Sequence, residues 1–148
     1  METLPDVTAT GVDGVPLRLH DLPRPLVVYF YPKDDTPGCT REAQDFSSLT
    51  DDFAAAGVTV LGVSRDTVAK HAKFRDKHAL TVTLASDLNG SVTEAFGVWG
   101  EKQLYGKTYM GIERATFLFD RDAQLVQAWR KVKVPGHAAA VLDAAKSL

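Results

Sequence analysis

The sequence predicts an α/β protein with a central mixed β-sheet and helices on both faces. Three observations predict it. The runs Val27–Phe30, Val58–Val63 and Ala115–Phe119 (VVYF, VTVLGV, ATFLF) are apolar, short and bounded by turn residues, as strands covered on both sides are. A helix-favouring stretch separates the first two, so strand, helix and strand form a parallel βαβ unit. The last dozen residues carry helical spacing, not alternation.

The elements follow in order. Val7–Thr10 and Val15–Leu19 flank Gly11-Val12-Asp13-Gly14, which predicts an N-terminal β-hairpin. Pro23 and Pro25 then break the chain before a core strand, Leu26–Tyr31, which ends at Pro32. From Thr40 onward Glu42, Ala43, Phe46 and Leu49 give helical spacing, and the helix is expected to run to about Ala56 and stop at Gly57. Asp66 or Thr67 caps a second helix that reaches about His78. Its apolar stripe is Val68, Ala72, Phe74 and Ala79, ringed by Lys70, Lys73, Arg75 and Lys77, with His71 and His78 read as a solvated face. Thr83–Ala85 is a short strand, and Asn89-Gly90 a turn. Ser91–Glu94 (SVTE) fits a capping box that opens a short helix toward Phe96. Trp99–Gly111 reads as a loop rich in Gly, Tyr and Lys. Ala115–Asp120 and Leu125–Arg130 are strands joined through Arg121–Gln124. Gly136 opens a last helix with Ala138, Val141, Leu142, Ala145 and Leu148 on one face. No linker or repeat divides the chain, so residues 1–148 read as one domain. The pattern does not name the strand order.

Composition narrows the function. With 148 residues the chain is long enough to bury a real core. A formal net charge of -2 offers no basic field for nucleic acid, and no polybasic run suggests a membrane surface. No apolar stretch approaches the ~20 residues that span a bilayer. METLPDVTATG has neither the basic nor the apolar region of a secretory signal. The single cysteine makes no internal disulfide, and together these features lead us to expect a protein of the reducing cytoplasm.

That cysteine, Cys39, falls where the core strand hands over to the first helix. Backbone N–H groups in a helix's first turn lack intrahelical partners, and the dipole there favours negative charge. A thiol so placed loses its proton more easily than a free one. The alternative is an inert packing cysteine, expected on a strand face or mid-helix instead of behind Thr36-Pro37-Gly38.

Read as P-x-x-x-T-x-x-C, from Pro32 through Thr36 to Cys39, the segment resembles the peroxiredoxins. YPKDDTPGCTRE is similar to their bacterioferritin-comigratory, or Q, subgroup. Gly106–Leu118 (GKTYMGIERATFL) resembles the segment that carries the family's active-site arginine, here Arg114. The resemblance covers nearly the whole chain. It implies a thioredoxin-like fold, a thiol-dependent peroxidase that uses no cofactor or metal, and a monomer. Cys39 is then the nucleophile that attacks a peroxide oxygen and becomes a sulfenic acid.

The other site residues each have a plain reading beside the implied one. Thr36 can donate to the thiolate or accept from a bound peroxide; it is also a turn or cap residue. Pro32 shields the sulfur, or merely ends the strand. Arg114 lowers the thiol pKa and stabilises developing charge; read in isolation it is a surface arginine at a strand start. Glu42, one turn along the helix, orients Arg114 or answers the helix dipole. Many members of the subgroup carry a second, resolving cysteine five residues after the nucleophile, where this chain has Gln44. The enzyme is therefore expected to be of the 1-Cys type, its sulfenic acid met by an external thiol such as glutathione, a glutaredoxin or a thioredoxin. Two other classes compete with this one. A thiol-disulfide oxidoreductase needs C-x-x-C, but Thr36 occupies the first of those positions. A non-enzymatic binding or holdase module would not require Pro32, Thr36 and Arg114 together. The four histidines show no metal-ligand spacing with Cys39. Trp99, Tyr105, Tyr109 and Met110 either wall an apolar entrance or pack as satellite core.

Overall fold

The computed structural model describes residues 1–148. The apolar runs form the centre of a seven-stranded sheet, because strands without a polar face must be covered on both sides. In chain order the strands of this sheet are β1 (Thr8–Gly11), β2 (Pro16–Arg18), β3 (Leu26–Phe30), β4 (Thr59–Ser64), β5 (Thr83–Ser86), β8 (Ala115–Phe119) and β9 (Leu125–Trp129). Their spatial order is β2-β1-β5-β4-β3-β8-β9. β3 runs parallel to β4 and antiparallel to β8, so the sheet is mixed, as expected. The N-terminal hairpin and the Arg121–Gln124 hairpin both form.

Alternation along β3 splits the core in two. Val27, Tyr29 and Tyr31 face one layer, with Phe46, Phe53, Phe74 and Val141. That layer is covered by helices α1 (Pro37–Ser48), α2 (Thr50–Ala55), α3 (Val68–His78) and α5 (His137–Lys146). Leu26, Val28 and Phe30 face the other layer, with Val92, Phe96 and Phe117, under α4 (Ser91–Ala95). The observed layers are those of a thioredoxin-like fold.

Several local expectations are corrected. The helix after Cys39 does not run unbroken to Ala56; it breaks at Leu49 (φ -102°, ψ 8°) into α1 and α2. Ser91 does not cap α4. Its free amides at Val92 and Thr93 are taken by the carboxylate of Asp87, which reaches them from the end of β5. The Trp99–Gly111 segment is not a loop but a two-stranded hairpin, β6 (Trp99–Leu104) and β7 (Lys107–Ile112), pinned at its base where Arg65 lies 3.4 Å over the Trp99 ring. Its outer residues Tyr105 and Met110 are exposed, so they are not satellite core. On α3, His71 is fully buried beside Phe74. Residues three apart on a helix share a face, and that spacing, not polarity, decides where His71 points. Leu148 lies beyond α5 and is exposed.

Candidate active site

Three elements meet at Cys39. β3 ends at Phe30, the chain turns through Tyr31–Asp35, and Thr36 becomes the N-cap of α1 with Pro37 first in the helix. Proline suits that position because its missing N–H would be unpaired there anyway. Cys39 is third in the helix, within the first turn, whose backbone amides lack intrahelical partners. It is buried, at 2% exposure. Arg114 arrives from the short connection between β7 and β8, its backbone carbonyl accepting from Val132 N at 3.0 Å.

The guanidinium bridges two side chains of α1. Arg114 Nη2 lies 3.3 Å from Cys39 Sγ, and Nη1 donates to Glu42 Oε1 at 2.7 Å. Glu42 is 1% exposed, and its Oε2 has no protein partner. Burial pushes this carboxyl up to about 7, against the pull of Arg114. Arg114 is raised by Glu42 and Cys39, although its own burial works the other way. Gly38 makes room for the guanidinium: a Cβ there would stand 3.2 Å from Arg114 Nη2.

Thr36 lies at the helix start, yet its hydroxyl does not cap the helix. It donates to Lys33 O at 2.9 Å, which leaves its lone pairs free to accept. Pro32 is exposed just beyond β3. The structure thus brings Cys39, Glu42 and Arg114 into direct contact and sets Thr36 at the N-cap, one residue before the helix.

Sequence reasoning missed several groups here. Lys102, on β6, feels both Arg114 and Cys39; burial and the repulsion of Arg114 lower its pKa. No periodicity marks it, since the hairpin itself was not foreseen. His137 opens α5, with Nε2 2.7 Å from Thr116 Oγ1 and its ring edge-on to Phe46 and Trp129. Burial and Arg114 together push His137 down to about 4, so it is neutral at pH 7. Asp34 and His71 are buried on the flank of the loop, and for His71 the spacing to Phe74 was the available signal. Donor atoms of Asp34, Asp66 and His71 lie within 4.8 Å of one another. They are already committed: His71 Nδ1 to Asp34 Oδ2 at 2.6 Å, and Asp66 Oδ2 to Ser64 Oγ and Asp34 N at 2.6 and 2.8 Å. A cation there would have to break those bonds.

A thioredoxin-like sheet whose cysteine starts a helix under an arginine and behind a threonine is the arrangement of a peroxiredoxin. The chain belongs to the AhpC/TSA family, whose model matches residues 1–128, and within it to the Bcp, or Q, group. It is 46% identical over 145 residues to Peroxiredoxin Bcp of Bacillus subtilis, covering 97% of this chain and 92% of that one. Peroxiredoxin Bcp of Xanthomonas campestris is 54% identical over 122 residues, covering 82% and 76%. A solved structure of the X. campestris bacterioferritin comigratory protein, studied for its alkyl peroxide reduction activity, superposes with a TM-score of 0.89 at 48% identity, covering 96% and 91%.

Proposed function

We propose that this chain is a thiol-dependent peroxidase in which Cys39 is the nucleophile and Arg114, Thr36, Glu42 and Pro32 serve it. The observation that carries the assignment of roles is the 3.3 Å approach of Arg114 to the sulfur of Cys39. The thiolate attacks the terminal oxygen of a hydroperoxide. A sulfur–oxygen bond forms, the peroxide bond breaks, and hydroxide or alkoxide leaves and takes a proton. Sulfur is oxidised to the sulfenic acid as the peroxide is reduced to water or an alcohol.

Each neighbour has a distinct part. Arg114 offers fixed positive charge and N–H donors both to the thiolate and to the oxygen that gains charge as the peroxide bond breaks. Glu42 orients the guanidinium from the next turn of the helix. Thr36, with its own proton spent on Lys33 O, accepts from the hydroxyl of the peroxide. Pro32 ends the strand so that the loop turns toward Thr36.

Cys39 is the only cysteine in the chain. An external thiol therefore attacks the sulfenic acid, releasing water and leaving a mixed disulfide, which a second thiol reduces. Glutathione, a glutaredoxin or a thioredoxin fits this step, in a cytoplasmic monomer. No helix is long and apolar enough to cross a membrane.

Peroxide consumption with dithiothreitol tests the reading. The protein consumes hydrogen peroxide and organic hydroperoxides in a thiol-dependent way, and Cys39→Ser does not, while keeping its circular dichroism. Turnover by Cys39→Ser well above the reagent blank would overturn it.

A further inference from the structure

The loop between β3 and α1 carries Thr36 and leads into Cys39, and it is tied to α3 by a buried hydrogen-bonded pair. His71 is fully buried and Asp34 nearly so. The two ring nitrogens of His71 both face acceptors. Nε2 lies 3.1 Å from Ala85 O, a carbonyl, so this nitrogen carries hydrogen. Nδ1 lies 2.6 Å from Asp34 Oδ2. The other oxygen of Asp34 accepts from Tyr31 Oη at 2.6 Å. Burial holds the Tyr31 phenol well above its usual range, so it remains a donor. One hydrogen bond thus joins Nδ1 and Oδ2, and every polar side-chain atom of the pair has a partner.

Such a pair is a poor way to gain stability. Apolar residues of similar volume often do as well or better, because two polar groups need not then leave water. What the pair does supply is geometry. The amide of Asp34 donates to Asp66 Oδ2, itself held by Ser64 at the end of β4. Asp35 adopts φ +60°, unusual for a residue with a Cβ. Its carboxylate meets Lys77 Nζ at 2.7 Å and His78 Nε2 at 2.8 Å on the last turn of α3. A conformation of this kind persists only where its surroundings over-determine it. Lys33 O, the acceptor of the Thr36 hydroxyl, is the carbonyl of the peptide unit that ends in the Asp34 amide. Fixing Asp34 therefore fixes where the Thr36 hydrogen points and where its lone pairs face.

We infer that Asp34 and His71 are positioning residues for the peroxide reaction: through the Lys33–Asp34 peptide they aim the Thr36 hydroxyl at the substrate. This rests on the peroxidase reading. It separates two influences on Cys39. Arg114, held by Glu42, supplies charge to the thiolate and to the departing oxygen, whereas the Asp34–His71 pair acts on the placement of the peroxide through Thr36.

The test compares wild type with Asp34→Asn, His71→Leu and His71→Gln. Rapid mixing of reduced protein with hydrogen peroxide gives the rate constant for Cys39 oxidation, read by tryptophan fluorescence. Thiolate absorbance at pH 7 and thermal melts accompany it. Asp34→Asn and His71→Leu are expected to lose about ten- to a hundredfold in rate constant, as misplacement of a reacting group does, with thiolate absorbance unchanged. His71→Gln, whose amide can still donate to Asp34, recovers part of the loss. Should those variants not fold, Tyr31→Phe removes one hydroxyl donor to Asp34 and is read in the same way, with a smaller loss. A lowered melting temperature with rate constants within about twofold of wild type would show a purely structural pair and overturn the inference. So would a loss of thiolate absorbance that parallels the loss of rate. Wild type that consumes no peroxide overturns the peroxidase reading instead. The pair itself is then still read by a strongly downfield imidazole proton resonance that vanishes in Asp34→Asn.

Discussion

Arg114 reaches Cys39 with one arm of its guanidinium, at 3.3 Å, and uses the other arm to hold Glu42 on the same helix, at 2.7 Å. The planar fork spans one helical turn, so the position of the cation is set by the helix that carries the nucleophile. A lysine has no such fork. Arg114→Ala is expected to slow oxidation of Cys39 by about a hundredfold or more, the cost of removing one preorganised donor at developing charge. It also strands Glu42 without its partner. Arg114→Ala combined with Glu42→Gln should therefore regain thermal stability but not rate. Stopped-flow oxidation and melting curves of the two variants check this; recovery of rate in the double variant would place Arg114 outside the reaction.

Gly38→Ala should separate rate from stability. A Cβ at this position stands 3.2 Å from Arg114 Nη2, so the guanidinium must shift by a few tenths of an ångström. Alanine at the same time has less backbone freedom to lose on folding than glycine, worth about 0.4–1 kcal/mol where the backbone suits it. The melting temperature is expected to hold or rise while the oxidation rate falls about tenfold. A variant as fast as wild type would show that the fit of Arg114 to the sulfur is not critical.

Two buried groups tilt stability against pH in opposite directions. Glu42 is raised from 4.5 to about 7, so the native state binds its proton more tightly than the unfolded chain. That contribution is complete below about 4.5 and is lost as pH rises through about 7. His137 is depressed from 6.5 to about 4. Its contribution is complete above about 6.5 and is lost as pH falls through about 4. Glu42→Gln should make stability rise more steeply from pH 4.5 to 7 than in wild type, by on the order of 1–3 kcal/mol over the window. His137→Gln should flatten the limb between pH 6.5 and 4 by a similar amount. Urea midpoints across the pH range measure both slopes, and parallel curves for wild type and a variant would remove that group from the account.

Oxidation without an internal partner exposes Cys39 to a second peroxide. At a high ratio of peroxide to reductant the sulfenic acid should advance to sulfinic acid, which is generally irreversible. Gln44→Cys supplies a thiol five residues on, within the continuous helix α1. Cys39 is buried and Gln44 exposed, and five residues on a regular helix span more than the ~7 Å Cα limit for a disulfide. The bond can close only if the first turns of α1 unwind. Mass spectrometry of peroxide-treated wild type and variant, with and without alkylation, is expected to show a disulfide and less sulfinic acid in the variant. Equal sulfinic acid and no disulfide would mean that α1 does not open after oxidation.

Much of this molecule was readable from its residues alone. The strands β3, β4 and β8 announced themselves because a doubly covered strand needs an unbroken apolar run, and both hairpins of the sheet lay at their turn residues. Cys39 stood out because a proline, a glycine and a helical pattern flank it, and helix starts carry their electrostatics in the local backbone. Arg114, by contrast, was marked only by family resemblance: 75 residues separate it from Cys39, and its approach depends on β8 lying beside β3. His71 and Asp34 show the same limit, 37 residues apart and meeting only across the loop and α3. His137, on α5, finds Thr116 by crossing from helix to sheet. The hairpin β6–β7 carried no apolar alternation, since both its faces are largely solvated and its ladder is satisfied by its own backbone. Local patterns record what a residue needs from its immediate neighbours in the chain. Which distant side chain supplies the charge or hydrogen bond is decided by strand order and helix packing, where burial makes an unmatched polar group too costly to keep.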